Sequence, residues 1–551
     1  VRTYGTLVRE VDAWVIGELE PHVRIKLKAI FTKVPKLAPP PYRFPATAET
    51  AADLLWFIDR YPLRTSAADL DALVEGRMAF EATQAEVARV MSPDWTPPAF
   101  AGLKPGQAVR PYQARNVELL ARFGGLLVAD RVGKGKTYTA LAACLLPGAL
   151  PATIVVPPHL RLQWRDKIEE FTTLSAHVVT SSRPYELPPV DVRIFGYTQL
   201  AGWIDVLSLL GTGLAVCDEG HDLRHGLGTA KGAAADALYR DARLKLMLSA
   251  TPVFHYGLDI WTLLRFVRPE VLGGYDDFAR EWCGRGAQVA DPVALNAYLR
   301  EQHAMVRGEG GDPEPNRLVQ SVPHDAEHLK SVEAAITALA RVARYGAFEE
   351  AGRATRELDM RLRLETGVAK APFVAQFVRA LVEETGEPVV LFGWHREVYR
   401  IWNEALSDLG VVMYTGSESP AQKNQAVQTF VRGGAQVFII SLRSGAGLDG
   451  LQHRASTVIF GELDWSPAMH DQCIGRLNRE GQRRWPRGEL VDAIFLVADD
   501  GSDPPMVEML GLKASQARGV TDGVLGPQRV VSDRKPIEML IERYLRDEEA
   551  A

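Results

Sequence analysis

Cysteine is scarce in this chain of 551 residues: Cys144, Cys217, Cys283 and Cys473 are the only four, far apart and without a Cys-x-x-Cys pair. That spacing argues against a zinc site and against the disulfide framework of a secreted protein, and it fits a reduced compartment. Long apolar runs are missing as well. No stretch approaches the roughly 20 residues needed to cross a bilayer, and the opening Val-Arg-Thr-Tyr-Gly has no apolar signal core. The expectation is a cytoplasmic chain without membrane contact; a first residue that is Val and not Met is read as processing or trimming. There is no excess of positive charge either. A net charge of −6 gives no bulk argument for nucleic acid, although a basic cleft can sit inside an acidic protein. What remains is globular throughout, with 46% hydrophobic and 24% charged residues in a length that calls for two to four domains.

The stretch Ala129 to Thr137, Ala-Asp-Arg-Val-Gly-Lys-Gly-Lys-Thr, organises the rest. It lies between an apolar run, Leu126 to Ala129, and an Ala/Leu-rich segment, Tyr138 to Leu146, in the order strand, tight loop, helix. A phosphate-binding loop needs that context. Gly133 and Gly135 free the backbone to turn its N–H groups towards phosphates, and a helix opening at Lys136 adds the positive end of its dipole. Lys136 is then placed for the β- and γ-phosphates of a nucleoside triphosphate, and the Thr137 hydroxyl for Mg²⁺. A Gly-Lys-Thr alone is also compatible with a turn that binds nothing; partners downstream decide.

Apolar runs without alternation, the signature of strands buried on both faces of a parallel sheet, recur in two sets. The first comprises Leu126 to Ala129, Ile154 to Val156, Arg193 to Phe195, Leu214 to Cys217 and Leu246 to Leu248; the second Val389 to Phe392, Val411 to Met413, Val437 to Ile440, Thr457 to Phe460 and Ile494 to Val497. The fold expected is α/β, with two doubly wound parallel-sheet lobes, 101–286 and 372–500. Between them, 287–371 reads as helical and charged, as in Ser331 to Leu364. A polar, helical tail is expected over 501–551.

Residues 1–100 read as a small α+β accessory module bounded by Pro93, Pro97 and Pro98. Val23, Ile25 and Leu27 alternate with Arg24, Lys26 and Lys28, a period of two that predicts a strand with one cationic face; Lys33 and Lys36 prolong a run that no acid interrupts. The face is either simply solvated or a ridge against nucleic-acid phosphates. Ala48 to Asp59 predicts a short buried helix, with Trp56 and Tyr61 in the core.

Leu214 to His221 is an apolar strand ending in two acids, where a phosphate-loop ATPase carries its metal and water site. Asp218 is placed to hold Mg²⁺ through its water shell, and Glu219 to orient and deprotonate the attacking water. Arg110-Pro111-Tyr112-Gln113, just upstream of the loop, is placed to read adenine through the Gln113 amide. Ser249-Ala250-Thr251-Pro252 ends the next apolar strand, where hydroxyls could couple the lobes. In the second lobe, Gln472 to Gln482 sets Arg476 and Arg479 three apart on one face of a helical turn, after the glycine-rich Ser441 to Gly447. A guanidinium stabilises charge on a transferring phosphoryl group, and supplying it from the opposite lobe makes hydrolysis depend on lobe closure.

The ordered set resembles a superfamily 2 helicase core, specifically the Snf2 family of DNA translocases. The loop at 129–137 is similar to its first motif, Ile154 to Pro158 with Gln163-Trp164 to motif Ia, and Asp218 to His221 to its acidic box. Thr251-Pro252 with Trp261, Leu264 and Pro269 resembles motif III and its tail; Tyr414-Thr415-Gly416, Ser441 to Gln452 and Gln472 to Gln482 resemble the second-lobe motifs in order. The resemblance implies RecA-like lobes and ATP-site roles for Arg110, Gln113, Gly133, Gly135, Lys136, Thr137, Asp218, Glu219, Arg476 and Arg479, with ATP and Mg²⁺ bound between the lobes. It implies double-stranded DNA as partner and a compact bacterial or phage type, cytoplasmic and nucleoid-associated on DNA; a monomer is the expected state. Arg24, Lys26 and Lys28 are the candidate DNA contacts of the first module. Arg131 and Lys134 stand where the family has an acid and an apolar residue, Gly220 where it has Ala, and Asn478 where it has His; none removes a phosphate, metal or finger group. A changed Asp449-Gly450 and a short inter-lobe region depart from chromatin remodellers. The rival readings are a strand-separating helicase on DNA or RNA and a non-catalytic DNA-binding protein.

Overall fold

The computed structural model describes residues 2–32, 34, 35, 37–131, 133–253, 257–284, 288–308, 313–443, 448, 450–507, 541 and 544. Ser444 to Gly447, Asp449, Lys33, Lys36 and nearly all of the expected helical tail lie outside the described residues. Two parallel sheets account for most of the rest. In the first lobe β4 (Gly125–Val128), β5 (Ala152–Val156), β6 (Ala176–Val178), β7 (Val192–Gly196), β8 (Leu214–Cys217), β9 (Leu244–Leu248) and β10 (Met305–Val306) line up as β10-β4-β9-β8-β5-β7-β6. In the second, β11 (Asn316–Ser321), β12 (Val389–Gly393), β13 (Val411–Tyr414), β14 (Val437–Ser441), β15 (Thr457–Phe460) and β16 (Asp492–Val497) line up as β11-β16-β15-β12-β14-β13. Every predicted strand of both sets is present. The central ones, such as β4, β5, β8, β12 and β15, are buried at every position, which is why their sequences run apolar without alternation.

Two strands arise in the stretch read as helical only. β10 pairs in parallel with β4 at the edge of the first sheet, and β11 with β16 at the edge of the second. β11, Asn-Arg-Leu-Val-Gln-Ser, is exposed at all six positions, so backbone pairing holds it and no apolar pattern marks it. Between the sheets stand the helices Ala326–Tyr345 and Phe348–Thr385, an antiparallel hairpin whose longer arm continues onto the second lobe.

That longer arm is fixed by a buried ion pair. Lys370, 1% exposed, donates to Asp503 Oδ2 at 2.6 Å and to the Leu496 carbonyl at 2.8 Å; the same Asp503 oxygen accepts from the Ala498 N–H at 2.9 Å. Lys370→Ala leaves a desolvated carboxylate without its cation. The expected cost is about 3–5 kcal/mol, read as a fall in the thermal unfolding midpoint of the full chain; an unchanged midpoint would mean that water replaces the ammonium.

The N-terminal module corrects one expectation outright. β1 (Thr6–Arg9), β2 (Ala13–Gly17) and β3 (Tyr42–Pro45) form its antiparallel sheet, and the residues read as a cationic strand lie in the helix Pro21–Ile30. Pro21 suits the first helical position, and Val23 and Leu27, four apart, are fully buried on one face while Ile25 is 68% exposed. Alternation over five residues also satisfied the i, i+4 spacing, and the helix won. Arg24 and Lys28 therefore share a side, donating to the Leu19 and Ala38 carbonyls at 3.3 and 2.7 Å, and exposed Lys26 faces the other way. The helix Ala48–Arg60 is as expected and Tyr61 packs against the core, but Trp56 is half exposed: Ala51, Leu54, Leu55 and Ile58 take the inner face. A further helix, Ala67–Met91, joins the module to the first lobe through Val87.

Candidate active site

The loop after β4 and the acids after β8 flank β9 at the carboxyl edge of the first sheet, where open α/β sheets bind ligands. Gly133 has φ +88°, and a Cβ there would lie 2.9 Å from the Cβ of Arg479. Gly135 has φ +70°, and its Cβ would lie 2.8 Å from the Gln113 amide nitrogen. Both glycines are thus needed for conformation and for space.

Gln113 sits behind the loop, 2% exposed. Its Oε1 accepts from the Arg110 N–H at 3.0 Å and its Nε2 donates to the Gly135 carbonyl at 3.2 Å, so the amide ties Arg110 to the loop. Tyr112, one residue earlier, donates to the Lys134 carbonyl at 2.5 Å. The Arg110 side chain reaches across the lobes to Glu480 at 2.9 Å.

Lys136 turns its ammonium onto the carbonyls of Asp130 and Arg131 at 2.7 and 3.1 Å. Burial lowers its pKa, against the pull of Glu219, Asp130 and Asp218. Asp218 accepts from the Trp164 indole N–H at 3.0 Å and from the Glu219 N–H at 2.9 Å, and its carbonyl accepts from the Tyr197 hydroxyl at 2.7 Å. Burial, then the charge of Glu219, pushes the Asp218 carboxyl up to about 6, against Lys136 and Trp164. Glu219 is also raised by burial, against Lys136 and Arg476, and its backbone sits at φ +50°, an uncommon conformation for a residue with a side chain. His221 lies 3.4 Å from Glu219 and burial lowers its pKa to about 4, so it stands neutral there at neutral pH.

The second lobe closes the cleft. Gln472, on the helix Pro467–Ile474, donates to Glu219 Oε2 at 3.4 Å. Arg476 is 5% exposed and Arg479 donates to the Leu448 carbonyl at 3.2 Å. Lys136, Thr137, Asp218, Glu219, Arg476 and Arg479 line one cleft of about 290 Å³. The chain between the lobes adds its own contacts: Arg307 donates to the Ala129 carbonyl at 2.8 Å, Gly308 N–H to Asp130 at 2.6 Å, Asn478 to the Pro313 carbonyl at 2.9 Å, and Arg131 pairs with Glu314.

The structure thus gathers the six charged or hydroxyl groups singled out in the sequence, with Gly133 and Gly135, into one cleft; Gln113 and Arg110 stand at its back and at its lobe junction. Arg24, Lys26 and Lys28 are on the separate N-terminal module. Trp164 and Gln472 belong to motifs already quoted, yet only the fold gives them partners. Glu480 lies in a quoted motif too, without a partner legible there, and Tyr197 carried no sequence signal. The donor set fits Mg²⁺: a desolvated carboxylate and a hydroxyl are hard oxygen ligands, and one such pair leaves room for phosphate oxygens and water.

A model of the SNF2-related domain matches residues 55–305, and one of the helicase conserved C-terminal domain matches 373–481, together more than half of the chain. The chain belongs to the Snf2 family. It is 25% identical over 438 residues to the DNA annealing helicase and endonuclease ZRANB3 of Mus musculus, covering 73% of this chain and 40% of that one. It is 24% identical over 432 residues to the SWI/SNF-related matrix-associated actin-dependent regulator of chromatin subfamily A-like protein 1 of Xenopus tropicalis, covering 74% and 44%. This Snf2 chain therefore spans about two fifths of the length of those relatives. The Sulfolobus solfataricus SWI2/SNF2 ATPase core in complex with dsDNA overlays at a TM-score of 0.38 with 15% identity, over 79% of this chain and 100% of that one. Among the described residues of the Snf2 chain no helix is long and apolar enough to cross a membrane.

Proposed function

We propose that this chain is a DNA-dependent ATPase that couples ATP hydrolysis to translocation on double-stranded DNA. The observation that carries the reading is the cleft itself: phosphate loop and acids come from one lobe, and Arg476 and Arg479 come from the other. Gly133 and Gly135 offer backbone N–H groups to the triphosphate, Lys136 the β- and γ-phosphates a cation, and Arg110 and Gln113 border the base. Thr137 and Asp218 hold Mg²⁺, which when bound neutralises charge developing on the phosphates. Glu219, raised by burial and held by Gln472, orients the attacking water and takes its proton. Arg476 and Arg479 stabilise the transferring phosphoryl group only when the lobes are closed, which ties hydrolysis to movement of one lobe against the other. All these groups come from one chain, so a monomer suffices.

DNA is the track favoured by family membership, and ATP turnover tests it. Turnover should rise on adding duplex DNA, more than with single strands or RNA, largely independently of base sequence and falling steeply with salt. Stimulation by single strands above duplex would favour the strand-separating helicase. Arg24, Lys26 and Lys28 are proposed as accessory phosphate contacts of the first module; replacing all three with Ala should lower the salt-dependence slope of duplex binding by up to about one per contact. An unchanged slope returns them to the solvated surface.

A further inference from the structure

The antiparallel helical hairpin between the lobes ends in an aromatic tip that the nucleotide cleft does not use. Its shaft is anchored: Ile336 and Ala340 on one arm pack against Leu358 and Leu362 on the other, and Trp465 of the second lobe donates to Asp359 at 2.7 Å. Beyond that anchor the turn Tyr345-Gly346-Ala347-Phe348 projects with Tyr345 77% and Phe348 95% exposed. Exposing two large aromatic side chains three residues apart at the end of a braced hairpin forgoes hydrophobic stabilisation and signals a partner.

The charges around the tip indicate which partner. Arg341, Arg344, Arg353 and Arg356 are all exposed within two turns of it. The nearby acids Glu349 and Glu350 stand in the first turn of the helix Phe348–Thr385, where the dipole favours them. Arg353 and Arg356 lie one to two turns further along, where no helix end calls for a charge. A hollow of about 740 Å³ lies beside the tip, and its lining includes Arg344, Phe348, Arg353 and Arg356 together with the one acid Glu349. Aromatic faces flanked by guanidinium groups suit nucleic acid: bases stack on the rings and phosphates meet the cations. Inside a continuous duplex every base face is already stacked, so the rings gain nothing there. Bases exposed at a strand end, a gap or a branch offer free faces.

We propose that this hairpin tip is a second nucleic-acid site, which stacks unpaired bases on Tyr345 and Phe348 and holds the adjoining phosphates with Arg353 and Arg356. The inference rests on the reading of the chain as a DNA motor and adds to it a contact for the places where the duplex track is interrupted.

The test compares binding of a blunt duplex with that of the same duplex carrying a single-stranded tail, by fluorescence anisotropy on the full chain. Wild type should prefer the tailed DNA by about tenfold or more, the scale of a stacked base. Tyr345→Ala/Phe348→Ala should lose that preference while keeping blunt-duplex affinity and blunt-duplex-stimulated ATP turnover. Arg353→Ala/Arg356→Ala should flatten the salt dependence for tailed DNA by about 1.4 in slope, two single-strand phosphates' worth. 5-Iodouracil at the first unpaired position should cross-link to Tyr345 or Phe348. Equal preference in wild type and the aromatic variant, or cross-links only elsewhere, would overturn the site. So would a smaller sedimentation coefficient for the variant than for wild type, which would give the tip to a second copy of the chain. Missing duplex stimulation of turnover in wild type would instead count against the motor reading, since tail preference is read from binding alone.

Discussion

Arg479→Ala is expected to lower ATP turnover by about 10³-fold or more with little change in ATP affinity, the scale on which arginine fingers act. The side chain stands where such a group must: its Cβ lies against Gly133 of the phosphate loop, at the distance that leaves no room for a Cβ on that glycine, and it lines the same cleft as Lys136 and Glu219. On the proposed reading, ground-state binding rests mainly on the loop N–H groups and Lys136, which the substitution leaves alone. Arg476 is more deeply buried and its charge opposes the raised pKa of Glu219, so Arg476→Ala should disturb the water-activating end and the finger together. Single-turnover rates with ATP affinity measured separately distinguish these. An Arg479 variant that turns over at the wild-type rate would show that the turn after the helix Pro467–Ile474, where Arg476 and Arg479 stand, does not act on the nucleotide.

Lys136→Ala should reduce hydrolysis to background in a chain that stays folded. The ammonium contacts loop carbonyls and faces the carboxylates of the cleft, and its loss would remove the proposed phosphate contact without opening the apolar core. Glu219→Gln separates binding from chemistry. The phosphate loop and Asp218 survive, so ATP should still bind, while loss of the base should slow hydrolysis by about 10²–10⁴-fold. The amide also relieves the charge that raises Asp218, so thermal stability should hold or rise slightly. If ATP affinity disappears together with turnover, Glu219 is a structural residue. Full turnover in Lys136→Ala would remove the phosphate loop from the site.

Both sheets were legible in the sequence because a strand buried on two faces must be apolar at every position, and few other structures demand that. The cleft was legible for a different reason: glycine, lysine and paired acids at strand ends are specified by chemistry at short range. What escaped was held by longer-range or by backbone interactions. β11 is polar and exposed, recruited by pairing with β16, and no residue pattern encodes such a strand. The helix at 21–30 looks like a strand in sequence because Val23 and Leu27 fit both periods, and the burial of one face decides between them only in the fold. Trp56 stands in the run Leu54 to Ile58, where successive apolar residues leave the phase of the helix open. Gln472 and Glu480 were visible as letters, but their partners, Glu219 and Arg110, lie more than two hundred residues away. Ser331 to Leu364 is helical in pattern and in the fold, while that pattern alone does not place the turn at Gly346 that makes it a hairpin and exposes Phe348.

If lobe closure drives the chain along an intact duplex, displacement of a third strand from a DNA triplex measures it directly. With ATP the wild-type chain should release the triplex-forming strand and leave the underlying duplex paired, and Glu219→Gln should release none. Release that proceeds equally without ATP or in Glu219→Gln, or efficient unwinding of the plain duplex by wild type, would contradict it.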